Sequence, residues 1–387
     1  MAWTRVVQLT LQVGLVFGLF RFDDVRNHTM DLRNGRKSIE NALRLLESHR
    51  FREVMRGLRD SKVRLMGFYH TSAWRGEWRS VMSEQLQLLD GKREQLNGLF
   101  DRERATSDEI EWGRRRWTSL LEHSEELHVT VASSKPSDLD LIASFVGSLD
   151  LTHKEKLKFV FNETLPRGSF GKLSPHEREK LMERRSNLSE GESATYLALY
   201  DYCTVEKKAG RKAFVYYFHT KGACCTRKTE KLGARCVTTW REAMNAFLLE
   251  FPSICLRALL DGYDSCGMEN QEGTYSGNFW MANCDAIANL LPLSNRFDAY
   301  KVEYGIFQYT TDASKNEEKS YKCGYSTYNC YVNHYEKECP RSSYIHKLAQ
   351  YGAQYELPPN FEGTKSENRL NSLPKAALLK ECVASHL

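Results

Sequence analysis

A histidine and a lysine stand at the end of an apolar, aromatic segment in the middle of this chain. The segment reads Tyr216-Tyr-Phe-His-Thr-Lys-Gly222, so His219 and Lys221 directly follow residues that suit a buried strand. Ligands of open α/β sheets bind beyond the carboxyl ends of the strands. We therefore expect this strand end to deliver the polar side chains of His219 and Lys221 to a pocket. A lysine–carboxylate pair beside a structural histidine is the alternative interpretation.

A second segment, residues 275–285, places small and polar residues ahead of large aromatic ones. Ser276 and Gly277 form a flexible turn, and Asn278 and Trp280 follow it. An amide can hydrogen-bond hydroxyl groups, and an indole offers a flat apolar face to a ring. These four residues are our candidates for binding a second substrate. The alternative is that the aromatic side chains only fill the core.

Two serines end the first strand that the sequence predicts. Residues 128–134 are a β-branched run that closes in Ser133 and Ser134, which we expect to form the exit turn at the carboxyl end of the strand. Asp138 and Asp140 then have the D-x-D spacing that can hold a divalent cation between phosphates. Because both begin a predicted helix, where acidic residues act as caps, capping is the favoured interpretation and no metal ligand is assigned.

The order of the predicted elements indicates an α/β fold. Strands over residues 128–134, 157–161 and 213–218 alternate with helices, which is typical of βαβ units and a mainly parallel sheet. No proline occurs before Pro136, and apolar residues recur at helical spacing through residues 31–127. We therefore predict a helical stem or bundle ahead of the sheet.

Composition and motifs exclude several classes of function. The net charge is only +5, and the chain has no zinc-finger or RNP-type motif, so nucleic acid is not an expected partner. The Rossmann and Walker motifs, the G-x-S-x-G elbow and the H-E-x-x-H zinc motif are all missing from the sequence. No other part of the chain points as directly to chemistry as the segments around His219 and Asn278.

Four segments together carry a resemblance to a known family. They are Tyr217-Phe-His-Thr-Lys-Gly222, Trp240-Arg-Glu-Ala-Met244, Gly262-Tyr-Asp-Ser-Cys-Gly267 and Tyr275-Ser-Gly-Asn-Phe-Trp280. In combination they resemble glycosyltransferase-like proteins of algae, plants and bacteria, which are distantly similar to rhamnan-synthesis-type transferases. The resemblance runs from about residue 127 to about residue 310 and leaves out the predicted helical part.

This resemblance implies a mainly parallel sheet of the glycosyltransferase-A, or nucleotide-diphospho-sugar transferase, type and a nucleotide-sugar donor. Such enzymes carry a D-x-D motif where this chain has His219 and Lys221, so dependence on Mn²⁺ or Mg²⁺ is doubtful and no cofactor is assigned. The resemblance implies that Lys221 brings positive charge to the departing diphosphate and that His219 donates a hydrogen bond to a phosphate or a sugar hydroxyl. It also implies that Ser133 and Ser134 lie near the nucleotide. The segment around Glu303 resembles the one that carries the acceptor base in inverting members, and a carboxylate there can take the proton of an acceptor hydroxyl. The segment from Ser276 to Trp280 falls at the acceptor loop of such enzymes.

The cysteines are confined to the second half of the chain. All 11 lie between Cys203 and Cys382, which fits a folded domain with a few disulfide bonds in an oxidising lumen. The candidates for pairing in the Tyr- and Cys-rich part are Cys323, Cys330 and Cys339. A zinc site built from Cys330, His334 and Cys339 is the alternative, although the paired C-x2-C spacing of a strong zinc motif is missing.

The first residues and three sequons indicate the secretory pathway. Residues 6–20 are mostly apolar but shorter than the ~20 residues of a spanning helix, so we expect a signal peptide or short signal-anchor, with a buried helix as the alternative. The glycosylation candidates are Asn27, Asn162 and Asn187. We expect tethering in the Golgi or endoplasmic reticulum lumen, or secretion after cleavage. Ser385-His386-Leu387 resembles a peroxisomal address and is a weaker alternative.

The sequence therefore predicts four parts: a signal or anchor at 1–24, a helical stem at 25–127, a transferase-like α/β domain at 128–345 and a loose tail at 346–387. The leading hypothesis is a glycosyltransferase that moves a sugar from a nucleotide sugar to a hydroxyl of a glycan or protein. The helical stem would join copies of the chain. The alternative is a non-catalytic interaction protein that uses the helices and keeps a degenerate transferase scaffold.

Overall fold

The structure is a computed structural model, and it describes residues 47, 50–73, 77–91, 119–165, 172–184, 189–220, 231–271, 274–289 and 324–329. Within them a single sheet is covered by helices on both faces. The strands are β1 (Arg64–Thr71), β2 (Leu127–Ser133), β3 (Leu157–Leu165), β4 (Ser189–Glu190), β5 (Ala213–His219), β6 (Ser265–Gln271), β7 (Thr274–Asn283) and β8 (Gly324–Asn329). The α-helices are α1 (residues 50–60), α2 (Trp78–Leu89), α3 (Leu120–His123), α4 (Ser137–Ser148), α5 (Pro175–Arg184), α6 (Ser193–Lys208), α7 (Lys231–Asn245), α8 (Ser253–Leu260) and α9 (Cys284–Asn289).

The sheet has the strand order β4-β3-β2-β1-β5-β7-β6-β8. Among the described strands, β7 runs antiparallel to β5 and β6, and the remaining neighbours are parallel. The predicted α/β class with a mainly parallel sheet is thereby confirmed. The chain passes from β1 to β2 and β3 on one side and returns to β5 on the other side of β1. The direction of strand addition thus reverses between β1 and β5.

The position of β1 corrects the predicted domain boundary. Residues 25–127 are expected to form a helical stem, but β1 lies inside this range and pairs with both β2 and β5. Every residue of β1 after Arg64 is buried, as expected for a central strand covered on both faces. A Cβ atom on Gly67 would overlap the ring of Tyr216 and the side chain of Leu127, so this strand needs a glycine at that position.

Buried side chains form one layer on each face of the sheet. On one face, Tyr69 and Phe218 stack at 4.4 Å between ring centroids beneath α2 and α7. On the other face, Tyr217 and Trp280 stack at 5.3 Å and pack against α6 and α9. Because side chains alternate along a strand, the face that carries Tyr217 also carries His219. The α6 side of the sheet is therefore the side on which the candidate histidine lies.

The helical segment after β5 is divided at Pro252. After α7 the chain makes a π-helical turn over Ala246–Glu250, and α8 starts directly after Pro252. Within the described ranges no single helix has the length and apolar composition to cross a membrane. The pair Val237–Glu250 and Ser253–Leu260, bent by 57°, meets those two criteria only when taken together.

Two disulfide bonds confirm the expectation that the chain forms such bridges. Cys203 of α6 bonds to Cys284 of α9, and Cys255 of α8 bonds to Cys266 of β6. All four residues are buried. The expected candidates Cys323, Cys330 and Cys339 lie outside the described residues, as does His334.

Candidate functional site

Two histidines occupy equivalent positions at the carboxyl ends of neighbouring parallel strands. His70 near the end of β1 pairs in register with His219 at the end of β5. On the other side of β1, His70 pairs with Thr130 of β2. Residues in register on neighbouring strands share a face, so Thr130, His70 and His219 form one row across the sheet. This row lies where the direction of strand addition reverses, which is where open α/β sheets bind their ligands.

Glu192 holds His219 from the start of α6. Its Oε1 atom lies 3.3 Å from Nδ1 of His219, and Nε2 of the same ring donates to the carbonyl oxygen of Gly277 at 2.6 Å. Both partners offer only acceptor atoms, so the arrangement favours a proton on each ring nitrogen and a charged imidazolium. Both ring nitrogens of His219 are engaged within the protein. The expected hydrogen bond from His219 to a phosphate is therefore corrected, and His219 is a positioning residue.

The carboxylate of Glu192 also accepts two hydrogen bonds. Tyr217 donates its hydroxyl to Oε2 at 2.6 Å, and the amide of Asn278 donates to the same atom at 2.8 Å. Burial alone raises the pKa of Glu192, but nearby His219 and then His70, with these hydrogen bonds, lower it to about 2. Glu192 is therefore an anion at neutral pH, and it forms a buried ion pair with His219.

His70 uses one of its two ring nitrogens for a hydrogen bond within the described part of the structure. Nδ1 lies 2.9 Å from Oγ1 of Thr195, while Nε2 contacts no hydrogen-bonding group among the described residues. Burial lowers the pKa of His70 to about 4, and the charge of Glu192 offsets only part of this effect. His70 is therefore a neutral imidazole at physiological pH. Its Nε2 can exchange one hydrogen bond with a ligand at the carboxyl edge of the sheet.

The segment around Asn278 is a bulge in β7 and not a loop beyond the sheet. Pairing of β6 with β7 shifts between Gly267 and Glu269, and Gly277 and Asn278 both have positive φ, +57° and +61°. Glycine and asparagine tolerate this left-handed region better than other residues. A bulge re-aims the backbone of one strand, and here the carbonyl of Gly277 faces His219.

Burial corrects the roles expected for two residues of this bulge. Trp280 is 0% exposed and donates its indole N–H to Oδ1 of Asn278 at 2.9 Å, so it cannot offer a face to a sugar ring. Asn278 is 3% exposed, and its amide is used by Trp280 and Glu192. Both residues support the site through contacts inside the protein. The alternative interpretation, that the aromatic side chains of this segment are core, is therefore the better one.

A second polar group supports the end of β5 from the opposite face. Gln85 of α2 donates to the backbone carbonyl of His219 at 3.0 Å and to Oδ1 of Asn245 at 3.2 Å. The hydroxyl of Tyr69 donates to Oε1 of Gln85 at 2.8 Å. Glu84 accepts from Asn245 at 2.9 Å and pairs with Arg241 at 3.3 Å. The last residue of β5 is therefore fixed through its ring on one face and its backbone on the other.

The two serines at the end of β2 lie in different environments. Ser133 is buried, donates to Asp138 and accepts from the backbone N–H of Lys135 at 3.1 Å, so its hydroxyl shapes the turn into α4. Ser134 is exposed at the same edge of the sheet. Asp138 and Asp140 lie in the first turn of α4, which starts at Ser137. Asp138 stabilises the turn before the helix, although it is not the cap itself.

Several predicted site residues lie outside the described part of the chain. These are Lys221, Glu303, Asn27 and Asn187, and the side chain of Ser276 also falls outside it. Asn162 is described, and it is 8% exposed within β3, where its amide donates to the carbonyl of Glu163 at 3.1 Å. A buried side chain in a paired strand is not accessible for glycosylation in the folded chain, which corrects the expectation for Asn162.

The described residues hold no group of three or more His, Cys, Asp or Glu side chains arranged to bind a metal ion. His70, Glu192 and His219 come near one another, yet both ring nitrogens of His219 and both carboxylate oxygens of Glu192 already have partners within the protein. What this cluster can do is bind and orient a polar ligand through Nε2 of His70.

Sequence reasoning missed His70, Glu192 and Thr195. His70 was hidden because β1 lacks the alternating, β-branched pattern of a typical strand. Glu192 follows Gly191, which has φ +55°, and a glycine turn ahead of a helix is the one signal that marks this position. Nothing in the sequence indicates that Glu192 would meet His219.

Comparison with known protein families identifies a similarity in the second half of the chain. A family model described as "Domain of unknown function (DUF8361)" matches residues 167–348, a span that includes Glu192, His219 and Asn278 but not His70. The search of curated proteins and the search of solved structures each find no match.

Proposed function

We propose that this chain is a glycosyltransferase that moves a sugar from a nucleotide-sugar donor to a hydroxyl group of a glycan or protein. The observation that carries the proposal is the pair of histidines at the carboxyl ends of β1 and β5, where strand addition reverses. A mainly parallel sheet with a polar cluster at this point suits a nucleotide-linked substrate. The motif resemblance of this region to glycosyltransferase-like proteins, and a sheet of the glycosyltransferase-A type, belong to the same proposal.

The donor would lie along the carboxyl edge from β2 to β5. Ser134 is exposed at the end of β2, and His70 and His219 follow on β1 and β5. Lys221 comes two residues after His219 in the sequence. We assign Lys221 to the diphosphate, because a lysine can stabilise the negative charge that develops on a leaving phosphate without a metal ion.

The proposed transfer is a substitution at the anomeric carbon of the donor sugar. The acceptor oxygen forms the new glycosidic bond, the bond to the diphosphate breaks, and the nucleoside diphosphate leaves with the bonding electrons. Glu303 remains our candidate for taking the acceptor proton. His219, Glu192 and Asn278 would position the end of β5 and the bulge of β7 around the reacting groups.

A lumenal compartment is part of the proposal. The bridges Cys203–Cys284 and Cys255–Cys266 suit an oxidising environment. Tethering through residues 6–20 and self-association through the residues before β1 remain proposals.

The test is donor turnover by the purified full-length protein. A panel of UDP-, GDP-, ADP-, dTDP- and CMP-sugars is offered with and without sugar-alcohol acceptors, in Mn²⁺, Mg²⁺ or a chelator, and release of the free nucleotide is measured. We expect turnover of one donor class in the chelator, and its loss in Lys221→Ala. The matched control Lys208→Ala changes an exposed lysine at the far end of α6 and should retain full turnover. The proposal would be overturned if the protein neither binds nor turns over any donor of the panel.

A non-catalytic interaction protein is the second candidate, and one observation favours it. Asn278 and Trp280, which would contact a substrate in a transferase, are both occupied by contacts inside the protein. On this alternative the site is a structural remnant and the N-terminal region binds a partner. A stable oligomer of the full chain together with no donor binding would support it.

A further inference from the structure

The outer edge of β3 carries backbone groups that the described part of the structure leaves unpaired. β2 pairs with one side of this strand from Leu157 onward, whereas β4 pairs with the other side only at Thr164 and Leu165. We propose that the open stretch, residues 157–161, pairs with the same stretch of a second copy of this chain, which joins two sheets into one. This inference goes beyond the proposed function and does not depend on it.

The register of the sheet shows which backbone groups of β3 face outward. The N–H of Gly67 donates to the carbonyl of Glu126 at 2.9 Å, so the even-numbered residues of β2 bond to β1 and the odd-numbered ones to β3. Because Val129 is in register with Phe159, the even-numbered residues of β3 bond to β2. The odd-numbered residues of β3 therefore direct their N–H and C=O groups away from the sheet.

The open stretch has a defined beginning and end. The N–H of Leu157 already donates to the carbonyl of Lys154. Past the end of the stretch, the amide of Asn162 donates to the carbonyl of Glu163 at 3.1 Å, and β4 then pairs with the edge. The C=O of Leu157 and both backbone groups at the next two odd-numbered positions have no hydrogen bond to another described backbone group. A partner strand can therefore be only a few residues long.

The side chains of the open stretch match a second copy of themselves. An antiparallel pair centred on Phe159 places this residue opposite Phe159 of the second copy. It also places Leu157 opposite Phe161 of the second copy, and the two-fold symmetry repeats that contact. These three side chains lie on one face of β3 and are partly exposed, so each contact buries apolar surface.

Charge on the opposite face favours the same register. There Lys158 stands opposite Val160 of the second copy, and its methylene stem can cover the valine. The lysine side chain is 61% exposed, with Nζ 3.8 Å from Glu126, so pairing does not require it to be buried. A centre at Lys158 would instead place the two lysines directly opposite each other, which is destabilising. A centre at Val160 would extend the pair to Glu163, whose carbonyl is already bonded.

The experiment measures the self-association of the full-length protein by sedimentation equilibrium between about 1 and about 500 µM. Val160→Lys sets a lysine opposite Lys158 of the second copy, and Val160→Glu sets a carboxylate there. The matched control is Val205→Lys, the same replacement at a position of α6 that is 56% exposed. Amide hydrogen exchange of β3, followed by NMR at low and high protein concentration, reports directly on the edge.

We expect a weak, reversible dimer, because a short strand pair buries less surface than a standard interface. Val160→Lys should weaken the dimer about three- to thirtyfold and Val160→Glu should strengthen it, since the symmetry counts each cross-strand pair twice. Salt should reduce both effects, and Val205→Lys should have none. Exchange at Phe159 and Phe161 should slow with rising concentration, whereas the amide of Val160, which bonds to β2, should exchange slowly throughout.

Two results would overturn the inference. A monomer at every concentration would show that copies of the chain do not pair, and would leave the edge for a strand of another protein. A dimer of equal strength in the unmodified protein, Val160→Lys and Val160→Glu would place the interface elsewhere on the chain. Thermal unfolding of each variant separates a loss of pairing from a loss of the fold, and Val160→Glu decides the question if Val160→Lys does not fold.

Discussion

Oε1 of Glu192 lies 3.3 Å from Nδ1 of His219, and this ion pair joins the start of α6 to the end of β5. The two side chains are 12% and 10% exposed, so water screens the pair only weakly. Removing one partner leaves the other charge buried. The loss of unfolding free energy when one partner is replaced therefore measures how much this ion pair matters to the fold.

Glu192→Gln should lower the free energy of unfolding by about 3 kcal/mol, because breaking a buried pair leaves an unpaired charge. Urea unfolding at neutral pH measures this loss. The control is Glu155→Gln, since Glu155 is 67% exposed in its contact with His153 at 3.5 Å and should cost less than about 1 kcal/mol. Equal small losses in both variants would show that Glu192 and His219 do not form the pair in solution.

Stability should decrease as the pH falls from about 6.5. Burial lowers the pKa of His70 and of His128 from 6.5 to about 4, so the unfolded chain takes up these protons first. Stability that is present above pH 6.5 is then lost as the pH approaches 4, by about 3 kcal/mol for each group. Below pH 4.5 Glu192 adds a further loss, since its folded pKa is about 2.

One buried acid opposes this trend over part of the range. Burial raises the pKa of Glu47 to about 7. The unfolded chain therefore releases this proton first, and the free energy of unfolding decreases as the pH rises from 4.5 to 7. Thermal unfolding between pH 4 and 8 measures the sum. His70→Gln should flatten the curve between pH 6.5 and 4, whereas the control His176→Gln, an exposed residue of α5, should leave it unchanged. An unaltered curve in His70→Gln would contradict the assignment.

Gly277→Ala should destabilise the protein more than Gly210→Ala. Both glycines have positive φ, +57° and +65°, so an alanine costs about 1–2 kcal/mol of backbone strain at either position. A Cβ atom on Gly277 would also lie 2.5 Å from Sδ of Met244, while Gly210 has no atom within 4 Å. The extra loss should be about 1–3 kcal/mol, and it is read as the difference between the two unfolding free energies. Equal losses would mean that Met244 moves aside freely.

The two disulfide bonds should contribute unequally to stability. The bridge Cys203–Cys284 closes a sequence separation of 81 residues, and Cys255–Cys266 closes one of 11. By loop-closure entropy, removing the first pair should cost about 4.5 kcal/mol and removing the second about 3 kcal/mol. Paired Cys→Ala replacements measured by denaturant unfolding check this order. The reverse order would indicate that packing at α8 and β6 outweighs chain entropy.

The sequence predicts the sheet well where its strands are typical. β2, β3 and β5 are apolar runs rich in β-branched or aromatic residues, and each is found close to its expected position. β1 does not follow a typical strand pattern, because it contains Gly67 and has Thr71 as its one β-branched residue. The glycine reflects close packing against Tyr216, a residue far along the chain. Periodicity within a short window contains no information about such a neighbour.

The candidate site could be predicted only in part for the same reason. His219 and the segment around Asn278 carry a local signal, namely polar residues beside a strand pattern, and the structure brings them together. The function of each atom depends on partners from other elements. Glu192 pairs with a ring nitrogen of His219, and Trp280 donates to the amide oxygen of Asn278. Polar atoms that the sequence offers to a ligand are therefore already bonded within the fold.

The central position of β1 has a consequence for how this chain can be divided. A fragment limited to residues 167–348, the part that the family model matches, would leave β5 without its parallel neighbour. The row of backbone N–H and C=O groups along β5 would then face water beside uncovered aromatic rings, a surface that recruits strands from other molecules. Such a fragment should aggregate, and restoring the chain from residue 47 onward should keep it soluble as a single folding unit. Another protein that contained only the segment matching residues 167–348 would thus need a strand of its own in the place of β1.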